Sequence, residues 1–126
     1  MVGFIAMGGV FAEGIDLPGD RLSGAVIVGV ALPQVCLERE ALRAHFDATQ
    51  GEGFNYAYVY PGICKVLQAA GRVIRTEDDA GVALLIDDRF FREPYSELFP
   101  RHWNVVSAKP GELGELLRRF WRGEAY

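Results

Sequence analysis

Three short apolar runs, each followed by a polar break, set the rhythm of this 126-residue chain. Residues 2–10 are apolar, with a β-branched residue at either end, and predict a buried strand. Residues 23–32 form a near-continuous apolar run, the pattern of a parallel strand covered on both faces, and Pro33 ends it. Residues 82–86, Val-Ala-Leu-Leu-Ile, predict a third buried strand that stops at Asp87-Asp88. Between the runs the period becomes helical. Over residues 36–48, Leu37, Ala41, Leu42, Ala44 and Phe46 interleave with Glu38, Arg39, Glu40 and Arg43, which predicts an amphipathic helix. Gln50-Gly51-Glu52-Gly53 breaks it. Residues 54–60 are aromatic and fit helix or strand; helix is preferred, with Pro61-Gly62 kinking it or separating it from a helix over 62–76. A turn at 77–81 precedes the third strand. Short elements near 94–99, an edge strand at 103–106 and an amphipathic helix over 110–122 complete the reading. Leu113, Leu116, Leu117, Phe120 and Trp121 share one side of that last helix, and Pro110 in its first turn has no N–H to leave unsatisfied.

Buried strands alternating with helices indicate a one-domain α/β layered fold with a mainly parallel sheet. Ligands of such sheets bind beyond the carboxyl ends of the strands. The loop at 11–21, with Glu13, Gly14 and Asp16, is therefore expected on that rim.

Composition narrows the class. Hydrophobic residues make up 50% of the chain and charged ones 24%, which excludes a disordered chain. The apolar runs fall far short of the roughly 20 residues that span a bilayer, so no membrane association is expected. Met1-Val2-Gly3-Phe4 lacks a basic leader, and two cysteines, Cys36 and Cys64, cannot make a disulfide framework; a reducing cytoplasm is expected. A net charge of −4 opposes broad coating of nucleic acid but leaves room for a local groove.

The chemistry concentrates in one stretch, Gln68-Ala69-Ala70-Gly71-Arg72-Val73-Ile74-Arg75. On the predicted helix, Gln68, Arg72 and Arg75 fall on one face, extended by Lys65, while Val66, Leu67, Ala70, Val73 and Ile74 face a core. Gly71 inside a helix costs about 1 kcal/mol relative to alanine, which suggests a close neighbour. Spacing alone describes a solvated face more often than a site, yet one Gln and two Arg also make a clamp for phosphate or carboxylate. A phosphate-cradling loop is absent, because the only lysines, Lys65 and Lys109, do not follow a glycine. Asp87 or Asp88 is expected to cap the next element or pair with Arg89 rather than hold magnesium. Cys36, His45, Cys64 and His102 lack zinc spacing, and no G-x-S-x-G occurs. Glu13, Asp16 and Asp20 could pair as carboxylates but by themselves support little. Arg118, Arg119 and Arg122 read as a solvated face. Charge-clamping arginines without the half that holds a triphosphate fit a domain acting in trans on a nucleotide gripped elsewhere.

These residues resemble a family. Residues 11–19, Phe-Ala-Glu-Gly-Ile-Asp-Leu-Pro-Gly, resemble motif V of the XPD/DinG superfamily 2 DNA helicases, and residues 68–75 resemble their motif VI. Leu32-Pro33 and Asp79-Ala80-Gly81 followed by Leu85, Asp87 and Arg89 resemble the family in the same order, so the likeness runs from Gly3 to about Trp103. It implies a three-layer RecA-like, P-loop NTPase-like domain, here the C-terminal portion of the second motor domain. It implies ATP with magnesium held mainly by a first RecA-like domain bearing the P-loop and the D-E-A-H box. Arg75 and Arg72 would be the catalytic pair reaching the γ-phosphate, Gln68 would place phosphate or water, and Glu13, Gly14 and Asp16 would line the cleft. Single-stranded DNA and the first RecA-like domain are the implied partners, in DNA repair; an iron–sulfur cluster would belong to that first half. This chain has none of the first half's motifs and opens directly in a strand, so a fragment or truncated frame is expected, inactive by itself toward ATP and DNA. Missing strands would leave a sheet edge exposed, and self-association is expected. The other reading is a non-catalytic interaction or nucleic-acid-binding remnant. Phe54, Tyr56, Tyr58 and Tyr60 would then stack on bases or bury a partner surface, although packing is the commoner role.

Overall fold

A computed structural model of the chain describes residues 2–7, 22–73 and 79–124. Its centre is a pair of parallel strands, β1 (Gly24–Val28) and β2 (Val82–Ile86), in register from Gly24 beside Val82 to Val28 beside Ile86. The ladder continues at both ends, where Val82 N donates to Ser23 O (3.2 Å) and Gly29 N to Ile86 O (3.0 Å). β2 has the predicted bounds. β1 is shorter than predicted because Gly29 (φ 85°) and Ala31 (φ 52°) turn the chain into left-handed backbone before Pro33 is reached.

Parallel neighbours cannot be joined by a hairpin and need a crossover. The crossover begins with helix α1 (Leu37–Gln50), stopped by Gly51, whose φ of 74° lets its N–H reach Phe46 O and Asp47 O. Gly53 N then donates to Asp47 Oδ1 (2.7 Å). The aromatic segment is helical, as a π turn (Asn55–Val59) that runs straight into α2 (Tyr60–Ala70). Pro61 has no N–H for an α-helical bond. A wider turn closed by Tyr60 N–H to Asn55 O just before it takes up that defect, so the proline stands in the first turn of α2 rather than between two helices.

Helix α2 lies along one face of the sheet, antiparallel to the strands. Gly62 meets the chain beyond the carboxyl end of β1, since a Cβ there would stand 2.7 Å from Val30 O. Val73, just past the helix, meets the amino ends of both strands: a Cβ on Gly81 would stand 2.1 Å from Val73 Cγ1 and 3.1 Å from Ser23 O. The core fills this interface with Ile27, Val30, Val59, Ile63, Val66 and Ala70, extended by Phe90 and Tyr95.

Several expectations give way. Residues 2–7 form no strand, because no neighbouring strand among the described residues pairs with them; residues 2–6 lie open, Phe4 being 98% exposed, while Met7 packs against the core, and residues 8–10 lie outside the described set. Among the described residues, the sheet is covered on one face only. On the other, Val26, Val28 and Ile86 are exposed, so the continuous apolar run of β1 does not mark burial on both sides. The helix expected over 62–76 stops at Ala70. Residues 103–106 are not a strand, and Val105 and Val106 are exposed. After β2 the chain makes two 3₁₀ turns, Asp88–Phe91 and Tyr95–Leu98, and ends with α3 (Leu113–Trp121), Pro110 lying in the turn ahead of that helix. Among the described residues, no helix is long and apolar enough to cross a membrane. The α/β class and the parallel pairing stand as expected.

Candidate functional site

The end of α2 is built by its own sequence. Ile63, Val66 and Ala70 face inward and are buried, whereas Cys64 and Gln68 point to solvent and Lys65 is half-buried. Gly71 caps the helix with right-handed backbone (φ −66°), donating to Leu67 O at 2.8 Å. The close neighbour expected at Gly71 is that same carbonyl, 3.1 Å from where a Cβ would sit, rather than another element. Arg72 N to Ala69 O (3.3 Å) and Val73 N to Ala70 O (3.1 Å) continue one tighter turn. The Val73 side chain is buried and anchors the turn to the sheet; Arg72 is half-buried, with its Nε inside.

Gln68 and Arg72 therefore do not share a helical face, because the helix has ended before Arg72 is reached. They are brought together as the last exposed turn of α2 and the turn that follows. Arg75, Glu13, Gly14 and Asp16 lie outside the described residues. The Arg72 turn sits at the amino ends of β1 and β2, not beyond their carboxyl ends, because a crossover helix leaving the carboxyl end of one strand must return the chain to the amino end of the next. Ser23 stands at this same end.

The opposite end of the sheet holds a closed ion pair. Asp87 Oδ1 accepts from Arg89 N and Nε (both 2.9 Å), and Oδ2 accepts from Arg89 Nη2 (2.7 Å). These bonds hold the Asp87 carboxyl down at about 2. Asp87 both caps the first 3₁₀ turn and pairs with Arg89, as expected, whereas Asp88 pairs with Arg92, a partner that was not expected. Among the described residues, no group of three His, Cys, Asp or Glu side chains is placed to hold a metal ion.

The aromatic cluster packs α1 against the π turn. Phe46 stacks on Tyr56 (4.2 Å between ring centroids), and Tyr56 meets Tyr60 edge-on. Tyr58 is buried and donates its hydroxyl to Glu40, which raises the phenol's pKa, and Tyr60 donates to Glu52 (3.1 Å). Arg39 Nη1 donates to Ala57 O (2.8 Å), tying α1 to the widened turn. None of these ties was foreseen. The one signal was the acidic and basic spacing of α1, with Arg39 and Glu40 side by side. On α3, Arg118 pairs with Glu115 and Arg122 with Glu124, all exposed, as a solvated face would be.

Comparison with known proteins covers most of the chain. Residues 1–106 match the helicase C-terminal domain family. The chain is similar to the ATP-dependent DNA helicase DinG of Photobacterium profundum, 35% identical over 91 residues, covering 71% of this chain and 13% of that protein. It is similar to a probable ATP-dependent helicase of Methanocaldococcus jannaschii, 33% identical over 97 residues (70% of this chain, 15% of that protein). It is also similar to the ATP-dependent DNA helicase YoaA of Escherichia coli, 32% identical over 92 residues (71% of this chain, 14% of that protein). The chain thus spans about a seventh of the length of these curated relatives.

Proposed function

Since the chain belongs to the helicase C-terminal domain family of the XPD/DinG helicases, we propose that it is part of an ATP-dependent DNA helicase and completes an ATP site shared with a first RecA-like domain. One observation supports this most. The turn that carries Arg72, directly after the last turn of α2 with its exposed Gln68, is fixed to the amino end of the sheet by the buried Val73.

ATP and magnesium would be held mainly by the P-loop of the first domain, and ATP would supply the phosphoryl bond to be broken. This chain's part is positive charge. Arg75 and Arg72 would disperse the charge that develops on the γ-phosphate oxygens; Arg72 belongs to a turn tied to the sheet through the buried Val73. Gln68, exposed one turn earlier, orients phosphate or water. Because these groups arrive from a second domain, hydrolysis is tied to cleft closure, and opening and closing move the motor along single-stranded DNA.

The test is ATP turnover by a two-domain protein that carries this chain. Arg75→Ala is expected to lower kcat by about 10³–10⁵ with KM little changed, the range found for arginine fingers, and Arg72→Ala to lower it as well. The 126-residue chain alone is expected to show no steady turnover. Turnover by the lone chain that Arg75→Ala abolishes, or full activity of the two-domain Arg75→Ala protein, would overturn the proposal.

A further inference from the structure

One buried carbonyl on the widened turn takes its partner from another helix. In an unbroken α-helix the oxygen of Ala57 would accept from the N–H of residue 61. That residue is Pro61, which has none. Ala57 is fully buried, so water cannot stand in, and a buried carbonyl without a donor carries its full desolvation cost. The donor that reaches it is Arg39 Nη1, at 2.8 Å and eighteen residues earlier in the chain. The next residue on each element repeats the grip with the roles exchanged, Tyr58 donating its hydroxyl to Glu40.

Helix α1 depends on such ties. None of its fourteen residues is buried, so no apolar ridge sunk in the core holds it. The pairs of Arg43 with Glu40 and Asp47 are exposed and lie within the helix, and they do nothing to place it. Arg39 is half-buried, and its bond crosses from α1 to the turn that leads into α2. A charged guanidinium on a carbonyl also makes a stronger bond than two neutral groups do.

We infer that Arg39 takes the place of the amide hydrogen that Pro61 lacks, and so is the residue that positions α1 against the turn leading into α2. The proline opens an acceptor inside the fold, and the arginine of the preceding helix fills it. Two positions on different helices thereby become interdependent. With an N–H restored at residue 61, the Ala57 oxygen has a donor of its own and Arg39 is no longer needed. The inference uses none of the candidate nucleotide-binding residues and stands apart from the helicase reading.

A double-mutant cycle in the 126-residue chain tests it, read by urea unfolding. Arg39→Ala in the wild-type background is expected to raise the unfolding equilibrium constant on the order of tenfold, since a charged hydrogen bond is lost and its acceptor stays buried. In the Pro61→Ala background the same change should raise it by less than about twofold. Arg39→Lys keeps a charged donor and should recover most of the loss; a lysine variant as weak as the alanine one would refute the donor role. Hydrogen exchange supplies a second readout. Arg39→Ala should speed exchange of α1 amides well beyond that of α2 amides, and an equal rise in both helices would overturn the positioning role. Equal costs of Arg39→Ala in the two backgrounds would overturn the inference, because the Ala57 oxygen would then be satisfied within its own helix. Should Arg39→Ala alone not fold, recovery on adding Pro61→Ala supports the inference, and failure to recover overturns it.

Discussion

Asp87→Asn is the sharpest perturbation of the reversal that follows β2. The wild-type carboxyl is held near 2 instead of 3.8, first by the side-chain bonds from Arg89 and then by the Arg89 N–H. At about 1.4 kcal/mol per unit, that difference sets a ceiling of about 2.5 kcal/mol on the ion pair's contribution to folding. Asp87 is 13% exposed but Arg89 is 43% exposed. Water and salt reach the pair from the arginine side, so we expect a loss of about 1–1.5 kcal/mol at neutral pH. A depressed carboxyl stabilises fully above its unfolded value and loses that contribution as pH falls through the folded value. The gap between wild type and variant should therefore be widest from neutral pH down to about pH 5, about halved near pH 3 and nearly closed below pH 2. Urea unfolding followed by far-ultraviolet circular dichroism across that range measures it. A gap that stays constant down to the lowest pH would refute the reasoning, because a neutral capping or packing role would then account for it.

Other substitutions probe the remaining links. Val66 is fully buried, and Val66→Ala should cost about 2–3 kcal/mol in urea unfolding from lost transfer energy and the cavity left behind; a cost well under 1 kcal/mol would mean the core lies elsewhere. Gly62→Val should destabilise by about 1–3 kcal/mol, because its Cβ meets the Val30 carbonyl. Gly62→Ala should cost less, the better helix propensity of alanine returning about 1 kcal/mol, and equal tolerance of both would deny the close approach. Arg118→Ala, which removes an exposed pair with Glu115, should change stability by less than about 0.5 kcal/mol and leave ATP turnover of a two-domain protein unaltered.

What the chain disclosed in advance follows from how local each signal was. β2 was legible to the residue because an apolar run of five ends at Asp87, which caps the next turn through its own neighbour Arg89. α1 was legible because Gly51 follows its periodic stretch. The end of α2 was not legible, since Val73 and Ile74 continue the helical period past Gly71, and what stops the helix is contact between Val73 and the amino end of the sheet. Residues 2–10 carry the composition of a strand, yet residues 2–7 form none, because a strand exists only with a neighbour to pair with, and composition says nothing of that. Of the candidate site, the helical period placed Gln68 and Arg72 on one face, which the end of α2 at Ala70 undoes. It could not say at which end of the sheet they lie, which depends on the direction of a long-range crossover.

The widened turn before Pro61 also governs which errors the fold absorbs. A π turn amounts to one surplus residue looped out locally, so the helix downstream keeps the facing it would have without it. Removing a residue from 55–59 should thus regularise the coil and leave Gln68 and Arg72 aimed as before. Removing one from 63–67 has no such slack and would swing the arginine corner about 100° around the helix axis, away from the sheet end where Val73 anchors it.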